Sequence, residues 1–203
     1  MKPRVYPSEL RSYHYCPRLL FFELHFGRRR GLLERLNLFL RSLYHLVLQA
    51  LARARGFRTE EPIELDMGSY VLKGRPDEYL VEDGKVLVVE IKTTRAPREG
   101  AWLGDYLQGA AYAMILMHKA GAKEAWVEVR YLDRSARVQV REEHLQLVKF
   151  AAEEVLAVKE GIVPFANRSE RRCARCPFRE ECLDLGDEPG EMGEWVTRDR
   201  SIF

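Results

Sequence analysis

The feature that most constrains the fold is the turn signal Asp83-Gly84, which stands between two runs of strand-forming residues. Asp-Gly is typical of a β-hairpin closed by a two-residue turn. Such a turn pairs Glu82 with Lys85, and counting back along both strands sets Asp77 opposite Glu90. Directly opposed residues share a face, with Cβ atoms about 5 Å apart. The sequence therefore predicts two carboxylates face to face, which repel each other unless a cation lies between them.

A lysine belongs to the same constellation. Lys92 follows Glu90 by two residues, and side chains alternate along a strand, so both point to one face. The apolar run over residues 86–91 predicts a buried strand, in which a charge is costly unless it is paired or ligated. A solvated acidic pair on a surface hairpin is the alternative. The burial favours a functional site, and two acids with a lysine are typical of a metal-dependent phosphodiesterase.

Composition sets the class of protein. The chain has 203 residues and a net charge of +2, which does not by itself demand a nucleic-acid partner. Arginine clusters at 28–30 and 168–175 are either phosphate-binding or solvated surface. No apolar stretch reaches transmembrane length, and no secretory signal follows the N-terminus. We therefore expect a cytoplasmic protein with no membrane partner.

The order of predicted elements indicates a mixed α/β fold. Helices are predicted from Ser8 (as N-cap) to about 15, then over 17–26, 32–55, 102–120 and 142–160. Further strands are predicted over 63–67, 70–72, 125–132 and 137–140. We expect one domain over 1–203: a helical N-terminal lobe (8–56), a core (57–161), a cysteine loop (162–185) joined by Cys16, and a loosely packed tail (186–203).

The four cysteines form a split pattern. Cys173, Cys176 and Cys182 lie near the C-terminus, and Cys16 lies at the opposite end. In a cytosolic protein such residues are metal ligands more often than disulfides. Structural zinc usually takes its ligands from two local pairs, whereas an iron–sulfur cluster needs only four thiolates that converge in space. We expect a cluster with a structural role, 4Fe-4S before 2Fe-2S, with zinc or unligated buried cysteine as alternatives.

Three further residues are weaker candidates. Gln108 and Tyr112 lie four apart in a predicted helix and so share one face, as in any amphipathic helix. His45 lies among leucines and valine, where a histidine is usually a core residue. It becomes a candidate metal ligand because two carboxylates supply fewer ligands than a hard divalent cation needs.

Together these residues resemble the PD-(D/E)XK nuclease superfamily, and more narrowly the RecB-like, iron–sulfur CRISPR-associated exonucleases, the fourth numbered family of CRISPR-associated proteins. The resemblance rests on Pro76-Asp77, on Glu90-Ile91-Lys92, on the Q-x3-Y motif from Gln108 to Tyr112, on His45, and on the split cysteines. It spans residue 8 to about 183. It implies a restriction-endonuclease-like core sheet flanked by helices.

The resemblance also implies a mechanism and partners. Mg²⁺ or Mn²⁺ would be held by the carboxylates of Asp77 and Glu90, the carbonyl of Ile91 and the imidazole of His45. Lys92 would orient water or stabilise the transition state, and Gln108 and Tyr112 would position Lys92 or the DNA. The expected activity is exonucleolytic phosphodiester hydrolysis of single-stranded DNA or duplex overhangs, which trims new spacers beside the CRISPR integrase. Oligomeric state stays open. The alternatives are a repair nuclease outside CRISPR and an inactive DNA-end-binding protein.

Overall fold

The computed structural model describes residues 2–28 and 50–185, together with the backbone of 201–202. Its strands are β1 (Arg4–Val5), β2 (Arg58–Thr59), β3 (Ile63–Asp66), β4 (Val71–Gly74), β5 (Glu78–Glu82), β6 (Lys85–Ile91), β7 (Ala101–Trp102), β8 (Glu124–Arg130), β9 (Ser135–Gln139) and β10 (Ser201–Ile202). Its helices are α1 (Pro7–Tyr15), α2 (Pro17–Phe26), α3 (Leu103–Ala120), α4 (Glu142–Lys159), α5 (Glu170–Cys173) and α6 (Arg179–Asp184). The predicted mixed α/β class is confirmed.

The β5–β6 hairpin has the predicted register. Glu82 pairs with Lys85, and Glu78 pairs with Val89 at the other end of the ladder. Asp83 and Gly84 both have positive φ, 48° and 71°, as a two-residue hairpin turn of this hand requires. Asp77 stands immediately before the first residue of β5, at the position that continues the ladder opposite Glu90.

The main sheet joins this hairpin to a parallel crossover. Its strand order is β2-β5-β6-β8-β9, and β6 pairs with β8 in parallel after the chain has passed through α3. Helix α3 covers one face of β6 and β8. Alternate residues of those strands, such as Val88 and Val127, are fully buried. The crossover places the first turns of α3 over the end of β6.

A second, three-stranded sheet was not predicted as a separate unit. It has the order β1-β4-β3, with β1 parallel to β4. The predicted hairpin around Gly68-Ser69 supplies β3 and β4. Strand β1 has only two residues, so it carries no recognisable pattern of its own.

The predicted start of the first helix is wrong by two residues. The N-cap is Tyr6 rather than Ser8, and the helix begins at Pro7. Proline suits the first helical position because it has no N–H to leave unpaired. The backbone N–H of Tyr6 donates to the Glu9 carboxylate at 2.9 Å, which satisfies the end of the helix without a Ser8 cap.

Two predictions fall on parts of the chain that the structure does not describe. Of the helix predicted over 32–55, only residues 50–55 are described; 50–54 are helical, and 55 lies in a turn. His45 lies outside the described residues. Of the predicted tail, residues 201–202 pair antiparallel with β7. Among the described residues, no helix combines the length and the apolar character needed to cross a bilayer.

The contact between α3 and β8 makes a specific demand on Gly109. A Cβ atom at this position would lie closer to Cγ1 of Val127 than carbon atoms approach each other. We expect Gly109→Ala to lower the free energy of unfolding by about 1–3 kcal/mol, because overpacking outweighs the gain of about 1 kcal/mol in helix propensity. Urea unfolding measures this difference.

Val127→Ala provides the matched background. It removes both γ carbons that the new methyl group would meet, so Gly109→Ala should become neutral or stabilising there. An equal loss in both backgrounds would show that the contact with Val127 is not the reason for glycine at 109.

Candidate active site

The two predicted carboxylates lie together at the end of β6. Asp77 is held against the strand because its Oδ2 accepts the backbone N–H of Ile91 at 2.7 Å. That N–H belongs to the residue directly after Glu90. The structure therefore brings Asp77, Glu90 and Ile91 together, as the register predicts. The role of the Ile91 carbonyl as a ligand stays a prediction.

Glu90 is the most deeply buried acid of the site. Only 1% of its surface is exposed. Its Oε2 accepts a hydrogen bond from Nζ of Lys92 at 2.9 Å. Its Oε1 makes no hydrogen bond within the described part of the chain. Burial raises the pKa of Glu90 to about 7, with Asp77 adding to the rise and Lys92 opposing it. A buried carboxylate oxygen without a donor is an acceptor position left for a ligand.

Lys92 is fixed by more than one acceptor. Its Nζ donates to Glu90 and also to Oε1 of Gln108 at 2.8 Å. Its side chain is 10% exposed. Because two of its three N–H donors have acceptors on different elements, the ammonium group is held at a defined place above the sheet. The structure thus places Gln108 in hydrogen-bond contact with Lys92, and the role of Gln108 in positioning Lys92 or the DNA stays a prediction.

Tyr112 lies one helical turn beyond Gln108 and packs against the segment that precedes Asp77. It is buried, and burial raises the pKa of its hydroxyl, which therefore keeps its proton. Its ring packs against Gly74 so closely that a Cβ at Gly74 would lie 2.7 Å from the ring carbon Cε1. The glycine before Arg75-Pro76-Asp77 thus makes room for the tyrosine of the helix.

Three residues around Lys92 were not predicted from the sequence. Asp105 lies one turn before Gln108 in α3, and its Oδ1 is 3.8 Å from Nζ of Lys92. The same Oδ1 accepts Nε–H of Arg11 at 2.6 Å, and Oδ2 accepts the hydroxyl of Tyr131 at 3.2 Å. The three-residue spacing from Gln108 is the one sequence signal that could have identified Asp105.

The acid next to Asp77 belongs to a different environment. Glu78 is buried on the opposite face of the sheet, where its Oε2 accepts Nη1–H of Arg130 at 2.8 Å. Arg130 also donates to Glu128 at 2.6 Å. Strand alternation thus separates a neutralised structural pair from the carboxylates at the end of β6.

The residues at the end of β6 fit a hard divalent cation in part. Carboxylate oxygens are the ligands that Mg²⁺ and Mn²⁺ prefer, and Glu90 has a buried oxygen without a donor. Among the described residues, however, no group of three or more histidine, cysteine, aspartate or glutamate side chains could hold a metal ion. Asp77 and Glu90 would therefore need further ligands from backbone, water or residues outside the described ranges.

The four cysteines line one cavity of about 180 Å³. Cys16 lies between α1 and α2, Cys173 ends α5, and Cys182 lies in α6. No disulfide joins them, and burial raises the pKa of the Cys16 and Cys176 thiols. The structure thus brings Cys16 to the C-terminal triplet, although the four thiols are not gathered closely enough to bind a metal ion as they stand.

The loop that carries the triplet packs on the first two helices. The rings of Phe22 and Phe178 stack at 5.1 Å between centroids, and Nδ2 of Asn167 donates to the carbonyl of Tyr15 at 3.2 Å. These contacts hold the cysteine loop against the first two helices.

Arg18 also lines the cysteine cavity, although nothing in the sequence indicated it. It is only 3% exposed, and its Nε–H donates to the carbonyl of Pro164 at 2.5 Å. Its Nη1 is buried and has no acceptor among the described residues. A buried guanidinium beside four thiols favours a negatively charged group in the cavity.

Comparison with known proteins agrees with this geometry. Residues 7–183 match the PD-(D/E)XK nuclease superfamily. The crystal structure of SSO0001 is similar with a TM-score of 0.57 and 20% identity, over 88% of this chain and 84% of that chain, which shows a shared fold. A "putative exonuclease" from Eubacterium rectale has a TM-score of 0.40 and 17% identity, over 67% of this chain and 55% of that chain, too weak a similarity to add to it. No curated protein matches the sequence.

The buried Glu90 predicts an unusual pH dependence for the metal-free protein. Its pKa rises from an ordinary 4.5 to about 7 in the folded state, so the folded state holds the proton more tightly. The resulting stability is fully present below pH 4.5 and is lost as the pH rises through 7, by about 3 kcal/mol. Glu90→Gln cannot lose a proton. In EDTA, the free energy of unfolding of wild type should therefore fall relative to that of Glu90→Gln between pH 5 and 8.

Urea unfolding at both pH values gives the comparison. Asp66→Asn, at an exposed acid paired with Lys2, is the control and should follow wild type. Parallel pH curves for wild type and Glu90→Gln would contradict a raised pKa at Glu90.

Proposed function

Because the chain belongs to the PD-(D/E)XK nuclease superfamily, we propose that it is a metal-dependent exonuclease that acts on single-stranded DNA or on duplex overhangs. The observation that carries the proposal is the buried Oε1 of Glu90, which has no donor among the described residues, in an acid that lies beside Asp77 with Lys92 tethered at the same strand end. Buried acids that only stabilise a fold have, in the large majority, donors for their oxygens.

The protein's own groups divide the work of phosphodiester hydrolysis. Asp77, Glu90, the Ile91 carbonyl and His45 would hold Mg²⁺ or Mn²⁺. A bound ion would acidify a water molecule and neutralise charge on the scissile phosphate. Lys92 presents an ammonium group whose position is set by Gln108, and it can donate to a phosphate oxygen as negative charge grows there. Tyr112 and Gly74 fix the helix turn that carries Gln108.

The sequence supports a narrower proposal about the biological role. The Q-x3-Y motif and the split cysteines resemble the RecB-like CRISPR-associated exonucleases, so we place the chain in spacer acquisition beside the CRISPR integrase. A RecB-like repair nuclease would use the same chemistry with different protein partners.

The cysteine cavity supports a proposal about a second group. Cys16, Cys173, Cys176 and Cys182 would hold an iron–sulfur cluster, 4Fe-4S before 2Fe-2S, that joins the first helices to the C-terminal loop. The support is that all four thiols line one cavity and that a buried Arg18 nitrogen, which has no acceptor among the described residues, lies there too. The thiols would have to move to hold the cluster, since they do not form a metal site as described.

The nuclease proposal predicts loss of metal-dependent cleavage on single substitutions. Asp77→Asn and Lys92→Met should each lower cleavage of end-labelled single-stranded DNA in Mn²⁺ by about a hundredfold or more. The first removes a carboxylate that would hold the cation, and the second removes the ammonium group that would face the developing negative charge. EDTA should abolish the wild-type activity, and a circular single strand should resist it.

Asp66→Asn is the control. It removes one negative charge, as Asp77→Asn does, but from an exposed acid that is paired with Lys2 and lies far from Glu90 along the chain. Wild type that binds DNA but cleaves it no faster than Asp77→Asn would instead identify an inactive end-binding protein.

The cluster proposal predicts iron and inorganic sulfide in protein purified without oxygen. Cys16→Ser and Cys176→Ser should each lower both contents by half or more and bleach visible absorption, because each removes one thiolate from the set. Ser12→Ala, a change in α1 near Cys16, is the control and should keep both contents. A colourless wild type with one zinc and no iron would overturn the cluster.

A further inference from the structure

Asp105 is a buried acid beside the site that neither the family motifs nor the preceding mechanism uses. It is 5% exposed and lies in the first turn of α3. Its Oδ1 stands 3.8 Å from Nζ of Lys92, within ion-pair range and beyond hydrogen-bond length. A buried carboxylate at that distance from a lysine whose side chain is only 10% exposed attracts it, and salt screens this attraction only weakly.

The carboxylate of Asp105 is held from two sides. Arg11 of α1 donates Nε–H to Oδ1 at 2.6 Å, and Tyr131 donates its hydroxyl to Oδ2 at 3.2 Å. Both oxygens therefore already have donors, in contrast to Oε1 of Glu90, for which the described residues supply none. Among the described residues, Asp105 also forms no group of three acids, histidines or cysteines able to hold a metal ion. These contacts make Asp105 a fixed negative charge and a poor candidate for a metal ligand.

Lys92 needs such a charge when a divalent cation is present. In the structure, the ammonium group of Lys92 is held by Glu90 at 2.9 Å and by the neutral amide of Gln108 at 2.8 Å. A cation bound to Oε1 of Glu90 would draw electron density from that carboxylate and repel the ammonium group of Lys92. Asp105 is an acid near Lys92 whose charge would not be shared with that cation.

We propose that Asp105 is a positioning residue that keeps Lys92 beside the scissile phosphate while a divalent cation occupies the Glu90 side of the site. This inference rests on the proposed nuclease function. Asp105 acts through Lys92, and Arg11 and Tyr131 serve only to hold the acid in place.

A double-mutant cycle tests the link. Asp105→Asn keeps the shape of the side chain and one of its two acceptor oxygens while it removes the charge. It should lower single-turnover kcat on single-stranded DNA by about 10- to 100-fold, with KM within about threefold of wild type. In a Lys92→Met background, Asp105→Asn should cause no further loss. An equal further loss in that background would overturn the proposal.

Asp66→Asn is the matched control, because it removes the charge of an exposed acid that is paired with Lys2, and its kcat should stay within about threefold of wild type. Arg11→Gln should lower kcat less than Asp105→Asn does, because the charge of Asp105 and its hydrogen bond from Tyr131 remain. If Asp105 instead serves the fold by its pair with Arg11, Asp105→Asn and Arg11→Gln should lose activity equally. That outcome would overturn the positioning role.

Mn²⁺ binding supplies a readout besides activity. Titration followed by electron paramagnetic resonance should give Asp105→Asn an affinity within about threefold of wild type, since Asp105 is not a ligand. A tenfold or greater loss of affinity would make it one and would overturn the proposal. Glu90→Gln is the positive control for lost binding.

Two further comparisons keep the test decisive. If Asp105→Asn does not fold, Asp105→Glu takes its place, and it should keep kcat within about tenfold of wild type because the charge remains. A folded Asp105→Glu as inactive as Lys92→Met would overturn the proposal. Failure of the nuclease function looks different, because wild type and Lys92→Met would then cleave DNA equally poorly in Mn²⁺.

Discussion

The pairing of Glu82 with Lys85 across the Asp83-Gly84 turn fixes the geometry on which the site depends. Side chains alternate strictly along a strand, so a slip of one residue would move Glu90 to the other face of the sheet. Strand β6 is paired on both sides, antiparallel with β5 and parallel with β8, and it cannot shift against one without losing the other. The register of one hairpin therefore determines which acids lie beneath α3.

The buried acid of the site makes the sheet less stable than apolar residues would. A charge at Glu90 is buried and shares its surroundings with Asp77, and one of its oxygens has no donor within the ranges that the structure describes. Apolar residues at such a position would give a more stable sheet. The protein compensates with Lys92, which is itself held by Gln108. The unfavourably buried acid thus lies at the strand end where the chemistry is proposed, as expected of a functional site.

Local patterns in the sequence predicted the elements that depend on nearby residues. The Asp83-Gly84 turn, the proline at the start of α2 and Gly121 at the end of α3 each act within a few residues, and the structure contains all three. What the sequence could not predict depends on distant partners. Strand β1 exists only because β4 lies beside it, and Asp105 finds Arg11 across 94 residues. Such contacts follow from the packing of α1 against α3, for which no local signal exists. His45 lies outside the described residues, so its predicted role stays a prediction.

Helix α1 connects the two candidate sites physically. Arg11, on its middle turn, holds Asp105 near Lys92, and Cys16, directly after its last residue, lines the cysteine cavity. Cys16 is tied to the last turn of α1, because its N–H donates to the carbonyl of Ser12 at 3.0 Å. The same helix packs on α3, the element that carries Asp105, Gln108 and Tyr112. The cysteine loop is held to α2 by the stacked Phe22 and Phe178. Helix α1 therefore contacts both candidate sites, through Cys16 at the cysteine cavity and through Arg11 at Asp105.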